Sequence, residues 1–438
     1  MLLLGVGIRI NNAFLFEAWR GFDAVENIEY LRLLQTSWAL PDPETVWSAS
    51  HPPLFYYLAA ALWRGLRLAS VDRWVLPVLP LAISALGIAA IAVAVALVRR
   101  IDPDNHRRQV LAAGLLLFLP VHIYISPMIG EELLVTLLVS LVLAVAAWPL
   151  STPGARPDTR SMAGTAAIGV LCGLAFLTKL SGALVVAAVA ILWAAEGARS
   201  RDWRSAITKL ALAGSIAIAV GGWFYVHNLM AHGYLYPQDL AIHSKMFELP
   251  PGERSVMDYV RIPVATLTDP QLIQPDLLRS VWGGTYATLW FDGHRHFLGQ
   301  SIAVTRIGTL LLTLALLPTL AFGVGLWRGA RRALAEPIGV DTLLLAMVAI
   351  TLLGYVAFTY GNPWYVTVKG SYLLGLSVPF ALYTSEVLAD WTQGPRGRSV
   401  FVTSVLIGLA VAIVATFWIG AIFVKLDGPG LDWRAVGL

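Results

Sequence analysis

The chain has 438 residues, 57% of them hydrophobic and 13% charged, with a formal net charge of +4 at pH 7. That composition excludes an ordinary soluble domain, in which about 25% of residues are charged. The lone Cys172 lies inside an apolar run, which excludes a disulfide and a cysteine metal site.

Apolar runs of about 20 residues recur along the sequence, each long enough to cross a hydrocarbon core about 30 Å thick. Lipid offers no partner to a bare backbone group, so these runs are predicted to be helices. In chain order they fall at approximately 1–16, 74–98, 109–126, 132–149, 162–178, 182–195, 206–226, 302–327, 341–359, 370–389 and 400–424, which makes about eleven spans in an all-α polytopic membrane protein. The first and sixth are shorter than ideal. Met1–Ile10 has neither a charged n-region nor a cleavage site, so a signal peptide is not expected there, and a truncated start would also account for the short first span.

Between the first two spans lies a long connection, residues 17–73, predicted to hold two short interfacial helices. Over 24–38, Val25, Ile28, Leu31, Leu34 and Trp38 recur at helical spacing with Glu26, Glu29 and Arg32 elsewhere on the wheel. Over 53–67, after the Pro52–Pro53 break, a second apolar helix has Tyr56 and Tyr57 near one end and Arg64 and Arg67 near the other. The other long connection, 228–301, is rich in Tyr, His, Pro and Asp. No fixed repeat and no linker to a soluble domain is visible, so 1–438 reads as one membrane domain.

Charge sets the orientation. Arg99, Arg100, Arg107 and Arg108, then Arg156 and Arg160, then Arg199, Arg201, Arg204 and Lys209, then Arg328, Arg331 and Arg332, and finally Arg396 and Arg398 all fall on one side if eleven spans alternate. The opposite side offers short loops with only Lys179 and Lys369. The positive-inside rule places the N-terminus and the basic loops in the cytoplasm of a cell (plasma or inner) membrane, and the long polar loops on the outer face.

That outer face carries the candidate chemistry. Asp23 follows the first span and precedes an amphipathic helix; it fits a helix N-cap and equally a carboxylate placed to take a proton where water is partly excluded. Glu131 and Glu132 open the fourth span, either as dipole-stabilising acids or as a second acidic point beside Asp23, to which Glu26 is an alternative contributor. Lys179 stands alone between two apolar runs, a costly position without an anionic partner; a lipid phosphate would serve, and snorkelling is the plainer account. Lys369 and Arg306 are weaker cations of the same kind. His51 before Pro52–Pro53 fixes an extended entry into the second interfacial helix, and with Tyr57 it is a candidate substrate-loop contact. His227, His232, His243, His294 and His296 are scattered over the long fourth outer loop; His294 and His296 offer only a weak metal pattern. Trp282, Tyr286, Trp290, Trp364 and Tyr365 read mostly as an aromatic belt.

The acidic first loop, His51-Pro52-Pro53-Leu54, the Ser126-Pro127 turn before Glu131-Glu132, and Gly173-Leu174-Ala175-Phe176-Leu177-Thr178-Lys179 resemble the protein O-mannosyltransferase and aminoarabinose-transferase group. These are family 39 members of the C-type (GT-C) membrane glycosyltransferases. The resemblance covers roughly residues 15–240, and the rest by topology alone. It implies a multispan core with interfacial helices and a donor sugar carried on a polyprenyl phosphate. It also implies Asp23 as the base near the acceptor, Glu131 and Glu132 as the second acidic site, and Lys179 as a donor-phosphate contact. The sequence departs from the pattern in three ways: the usual Asp-Glu pair is Asp23-Ala24, a family-typical His is replaced by Asn27 or Ile28, and no large C-terminal domain follows the last span. These departures bear on the acceptor class and on any need for a divalent metal.

The expected function is an inverting, mannosyltransferase-like glycosyl transfer from a polyprenyl-phosphate sugar to a lipid, glycan or protein acceptor. No nucleotide or nucleic acid is expected to take part. The alternatives from other classes are a transporter or lipid flippase, against which the one-sided acids argue, and a non-catalytic assembly partner.

Overall fold

The computed structural model describes residues 1–68, 75–151, 161–237, 240–299 and 301–419. Arg156 and Arg160, residues 69–73 of the first long loop and the end of the last predicted span lie outside them. The described residues are helical apart from their connections and hold one isolated bridge, between Pro251 and Trp364.

Helix α1 (Leu2–Leu15) leads into α2 (Ala24–Thr36) and α3 (Leu54–Leu68) of the first long loop. Then come α4 (Val75–Ile101), α5 (His106–Leu117), α6 (Pro120–Ile125), α7 (Glu132–Ala147), α8 (Met162–Thr178), α9 (Ala183–Ser200), α10 (Trp203–Ala217) and α11 (Trp223–His232). The second long loop holds the single turns α12 (Ser244–Phe247), α13 (Ala265–Thr268) and α14 (Pro275–Leu278), then α15 (Val281–Trp290). Helices α16 (Ile302–Ala335), α17 (Val340–Gly361), α18 (Ser377–Gln393) and α19 (Arg396–Val414) complete the bundle.

Among the described residues, 8 helical segments are long and apolar enough to cross a membrane. Helices α1 and α8 are shorter apolar elements. The span expected over 109–126 is broken. Pro120 opens α6 without an N–H to give, and it forces Leu119 into extended backbone (φ −71°, ψ 117°). The carbonyls this leaves at the end of α5 attract a cation: Arg9, fully buried in α1, donates from Nη1 to Leu117 O at 3.1 Å and to Gly5 O at 2.9 Å. The span expected over 206–226 is longer than the sequence suggested. Helix α10 runs through a π-turn at Ile218–Gly222 into α11, giving a continuous Trp203–His232 segment.

Both helices expected in the first long loop are present, but α2 is turned from its predicted face. Val25 and Trp38 are exposed, whereas Asn27 and Tyr30 are buried with Ile28, Leu31 and Leu34. The reason is side-chain pairing. Tyr30 stacks on Tyr56 of α3 with ring centroids 4.1 Å apart, and Asn27 has its hydrogen bonds met inside the fold. Trp38 instead lies under the Arg64 guanidinium, 4.5 Å from its ring centroid. The expected aromatic belt is also corrected in part, because Trp290 and Trp364 are buried and Trp290 packs against Phe380 inside the bundle.

The bundle has two unlike ends. At one, Arg108 reaches Asp102 and Glu386, Arg328 reaches Asp390, and Arg332 reaches Asp341 and Glu386, which levels the ends of α4, α16, α17 and α18. At the other, the ends of α1, α8 and α17 meet the two long loops around a cavity.

Candidate active site

The cavity holds about 430 Å³ and is walled by residues from both long loops and from the short turns before α7, α9 and α18. Its polar wall includes Asp23, His51, Glu131, Glu132, Lys179 and Lys369. Glu26 and Tyr57 do not line it. Glu26 is half-buried on the flank of α2, and the Tyr57 hydroxyl turns away to donate to Trp38 O at 3.1 Å.

Asp23 occupies the N-cap position of α2 but does not cap, since its side chain accepts no hydrogen bond from the helix. Its backbone is left-handed (φ 52°), a conformation Asp tolerates better than most residues. Two residues earlier Gly21 has φ 116°, and a Cβ there would fall 2.9 Å from the Met128 side chain. The Gly21–Asp23 turn thus points the carboxylate into the cavity, where it lies 3.7 Å from the Lys369 ammonium. Burial alone would raise the pKa of Asp23. The Lys369 and His51 charges outweigh that and hold it below the ordinary value.

Lys369 precedes a 3-10 turn (Gly370–Leu376) whose first N–H donates to Thr288 Oγ1 at 2.8 Å, docking the turn on α15. The Lys369 ammonium sits 4.2 Å from the centroid of the Phe22 ring. The edge of that ring packs against His294 and His296, at centroid distances of 5.1 and 4.6 Å. His294 Nε2 is 3.0 Å from Val368 O, so these two histidines support the Lys369 turn from behind.

A second charged group faces the first. Lys179, in extended backbone at the end of α8, donates to Glu131 Oε1 at 2.9 Å and to Glu132 Oε1 at 2.6 Å. Glu131 makes no capping hydrogen bond to α7, so its carboxylate serves the lysine and not the helix terminus. Burial acts to raise the pKa of Glu131, but Lys179 and then His51 overcome it and bring it to about 2. Tyr372 lies between the two charged groups, its ring centroid 5.2 Å from the Lys179 Nζ and 5.7 Å from that of Lys369.

Two wall residues, Tyr372 and Asn27, and Tyr56 behind them escape a search for charge. Tyr372 follows Lys369 by three positions, the spacing that eclipses side chains on a 3-10 turn. Tyr56, not Tyr57, donates to Asn27 Oδ1 at 2.7 Å and lies 3.1 Å from His51 Nδ1. Asn27 also accepts from Ser48 Oγ at 2.9 Å and donates to Ile129 O at 2.8 Å, tying α2 to the turn that presents Glu131.

The scattered histidines are not gathered. His243 lines the cavity against Trp47, His294 and His296 stand behind Phe22, and His227 and His232 lie at the end of α11. Among the described residues no three His, Cys, Asp or Glu side chains are grouped to hold a metal ion. With Glu131 and Glu132 committed to Lys179 and Asp23 facing Lys369, this arrangement does not fit a divalent cation.

No family model and no curated protein matches the sequence. Solved structures match its shape. The oligosaccharyltransferase of Archaeoglobus fulgidus, tethered to an acceptor peptide containing the NVT sequon, aligns with a TM-score of 0.54 at 14% identity, covering 99% of this chain and 56% of that one. The oligosaccharyltransferase AglB from Archaeoglobus fulgidus, in complex with an inhibitory peptide and a dolichol-phosphate, gives 0.51 at 15% identity, with 99% and 56% covered. ArnT from Cupriavidus metallidurans bound to undecaprenyl phosphate gives 0.43 at 17% identity, with 96% and 77% covered. The chain spans just over half the length of the archaeal protein. At these identities the likeness is one of fold: the chain shares the all-α polytopic architecture of the archaeal oligosaccharyltransferase.

Proposed function

We propose that the protein is an inverting glycosyltransferase that moves a sugar from a polyprenyl-phosphate donor to an acceptor at the outer face of the membrane. One observation carries the reading: Asp23 is released from capping duty and opens, with Lys369 and Lys179, into a single cavity at one end of the bundle. Archaeal structures of the same fold were obtained with a dolichol-phosphate and an inhibitory peptide, and with a tethered acceptor peptide, which supports a lipid phosphate and an acceptor as occupants of a cavity like this one.

In the proposed reaction the acceptor O–H or N–H gives its proton to the Asp23 carboxylate. The acceptor atom forms the new bond to the sugar C1, and the C1–O bond to phosphate breaks on the opposite side. The electron pair leaves with the polyprenyl phosphate, so the chain supplies alignment and cations in place of covalent chemistry. Lys369 has a double part. While it faces Asp23 it keeps the carboxylate weakly basic, and a donor phosphate that draws the ammonium away restores that basicity once the donor is in place. Lys179 can reach the phosphate by exchanging one of its two glutamates.

The test is Asp23→Asn, with purified protein, polyprenyl-phosphate sugars carrying label in the sugar, and a membrane extract as the acceptor source. Label should leave the lipid with the native chain, and loss of transfer by at least 100-fold is expected in the variant, with unchanged elution and melting in detergent. Full activity in Asp23→Asn would overturn the assignment. Movement of intact labelled lipid between leaflets, without release, would favour a flippase.

A further inference from the structure

Beyond the cavity, the second long loop carries an apolar surface that nothing in the fold covers. Over residues 256–264, Val256, Met257, Val260, Ile262 and Val264 are all exposed, Val256 and Val264 each at 77%. In the same stretch the charged groups are spoken for. Asp258 is buried, capping its own turn through Ser255 and lying 3.7 Å from Arg279, while Arg261 pairs with Asp276 at 2.6 Å. A water-facing loop does not ordinarily present this many large apolar side chains together.

Its height relative to the membrane can be measured along two helices. Tyr259 Oη is 3.0 Å from Thr359 Oγ1 on α17. Thr359 stands about 27 Å along the axis from Asp341, which Arg332 holds at the basic end. At the far side of the segment, Thr309 Oγ1 of α16 contacts Thr268 O of α13 at 3.5 Å. Thr309 stands about 28 Å from Arg328 at the basic end. Both heights match a hydrocarbon core of about 30 Å. The segment is thus tied twice to these two helices at that height, beside Leu310, Leu353 and Tyr360, which are themselves exposed.

We infer that residues 256–264 form a membrane-dipping segment, with Val256, Met257, Val260, Ile262 and Val264 seated at the boundary between lipid headgroups and acyl chains. The occupant of this surface is the bilayer itself, continuous with the lipid around α16 and α17. The segment also reaches the cavity. Just upstream, Pro250 O accepts from Tyr365 N–H at 2.8 Å, Pro251 bridges to Trp364, and Leu249 and Trp364 line the cavity wall. Lipid contact at 256–264 therefore holds one wall of the cavity at the membrane surface. The inference does not depend on the transferase reading.

The test places an environment-sensitive fluorophore at Val260→Cys and, separately, at Val264→Cys, in the full chain reconstituted into phosphatidylcholine nanodiscs. Glu253→Cys, an exposed position upstream of the segment, is the aqueous control. Cys172 is buried and stays in place, and the unlabelled parent chain checks for background. Lipids carrying a nitroxide near the headgroup should quench the labels at 260 and 264 at least twofold and the label at 253 little, while aqueous iodide shows the reverse order. Iodide quenching at 260 and 264 equal to that at 253, without quenching by nitroxide lipid, would overturn the inference. So would labels at 260 that are shielded from both quenchers and crosslink between two copies of the chain, because the surface would then be a protein interface.

Discussion

Lys179 is bound by two carboxylates in a poorly hydrated wall, and that arrangement is stable only while all three groups are present. Removing one partner of a buried ion pair leaves an uncompensated charge and costs about 3–5 kcal/mol, whereas replacing the whole group by neutral side chains is close to neutral. Lys179→Met should therefore lower the melting temperature in detergent markedly. The combination of Lys179→Met, Glu131→Gln and Glu132→Gln should recover most of that loss while donor binding stays absent. The depressed pKa of Glu131 gives a second expectation. Its ordinary value is 4.5 and its folded value about 2, so its contribution to stability is complete above about pH 4.5 and is lost as pH falls towards 2. Between pH 5 and pH 3 the native chain should lose more thermal stability than Glu131→Gln, as read by melting curves in the same detergent. Asp23, Glu131, Glu132, Lys179 and Lys369 were legible in the sequence because an ionisable residue at the edge of an apolar run stands out against its cost. Asn27, Tyr56 and Tyr372 were not, since their importance lies in hydrogen bonds and ring contacts that join distant segments and leave no trace in charge or period.

At the scale of elements, hydrophobic run length located the long helices of the bundle, but among the described residues 8 segments are long and apolar enough to cross a membrane where about eleven were expected. Run length could not show where a helix breaks or how two helices approach. The break at Leu119–Pro120 was readable in principle from the proline, but the apolar residues on either side hid it. The face of α2 was misread because Asn27 and Tyr30 score as polar on a wheel, and their burial depends on α3. Close approach is clearest between α8 and α10 with its π-turn. Gly169 and Gly173 are four apart, the small-residue spacing that lets membrane helices touch, and a Cβ on Gly221 would fall 2.3 Å from the Gly173 carbonyl oxygen. Because the obstacle is backbone, no rotamer change relieves it. Gly221→Ala should force α8 and α10 apart and destabilise the chain by about 1–3 kcal/mol, whereas Gly214→Ala on the same helix, where a Cβ meets nothing within 4 Å, should be tolerated. Comparing the two melting temperatures separates packing from helix propensity.

The whole molecule has one end knit by arginines paired with acids and another that holds the cavity, and this asymmetry suggests which compartment the cavity serves. Arg108, Arg328 and Arg332 are held with Asp102, Asp341, Glu386 and Asp390 at one end, and the cavity with Asp23 and Lys179 lies at the other. The positive-inside rule predicts that the arginine end stays cytoplasmic, and the cavity is then expected to face outward. Two exposed positions report the two ends: Arg201, in the turn between α9 and α10, and Glu253, in the second long loop. In intact cells a membrane-impermeant thiol reagent should label Glu253→Cys and should label Arg201→Cys only after the membrane is permeabilised. Cys172 does not compete, because it is buried within α8. The opposite pattern would turn the cavity to the cytoplasm, where nucleotide sugars are at hand. A lipid-linked donor would then have no particular advantage, and the case for outward transfer through Asp23 would lose its topological basis even if the fold and the cavity stood unchanged.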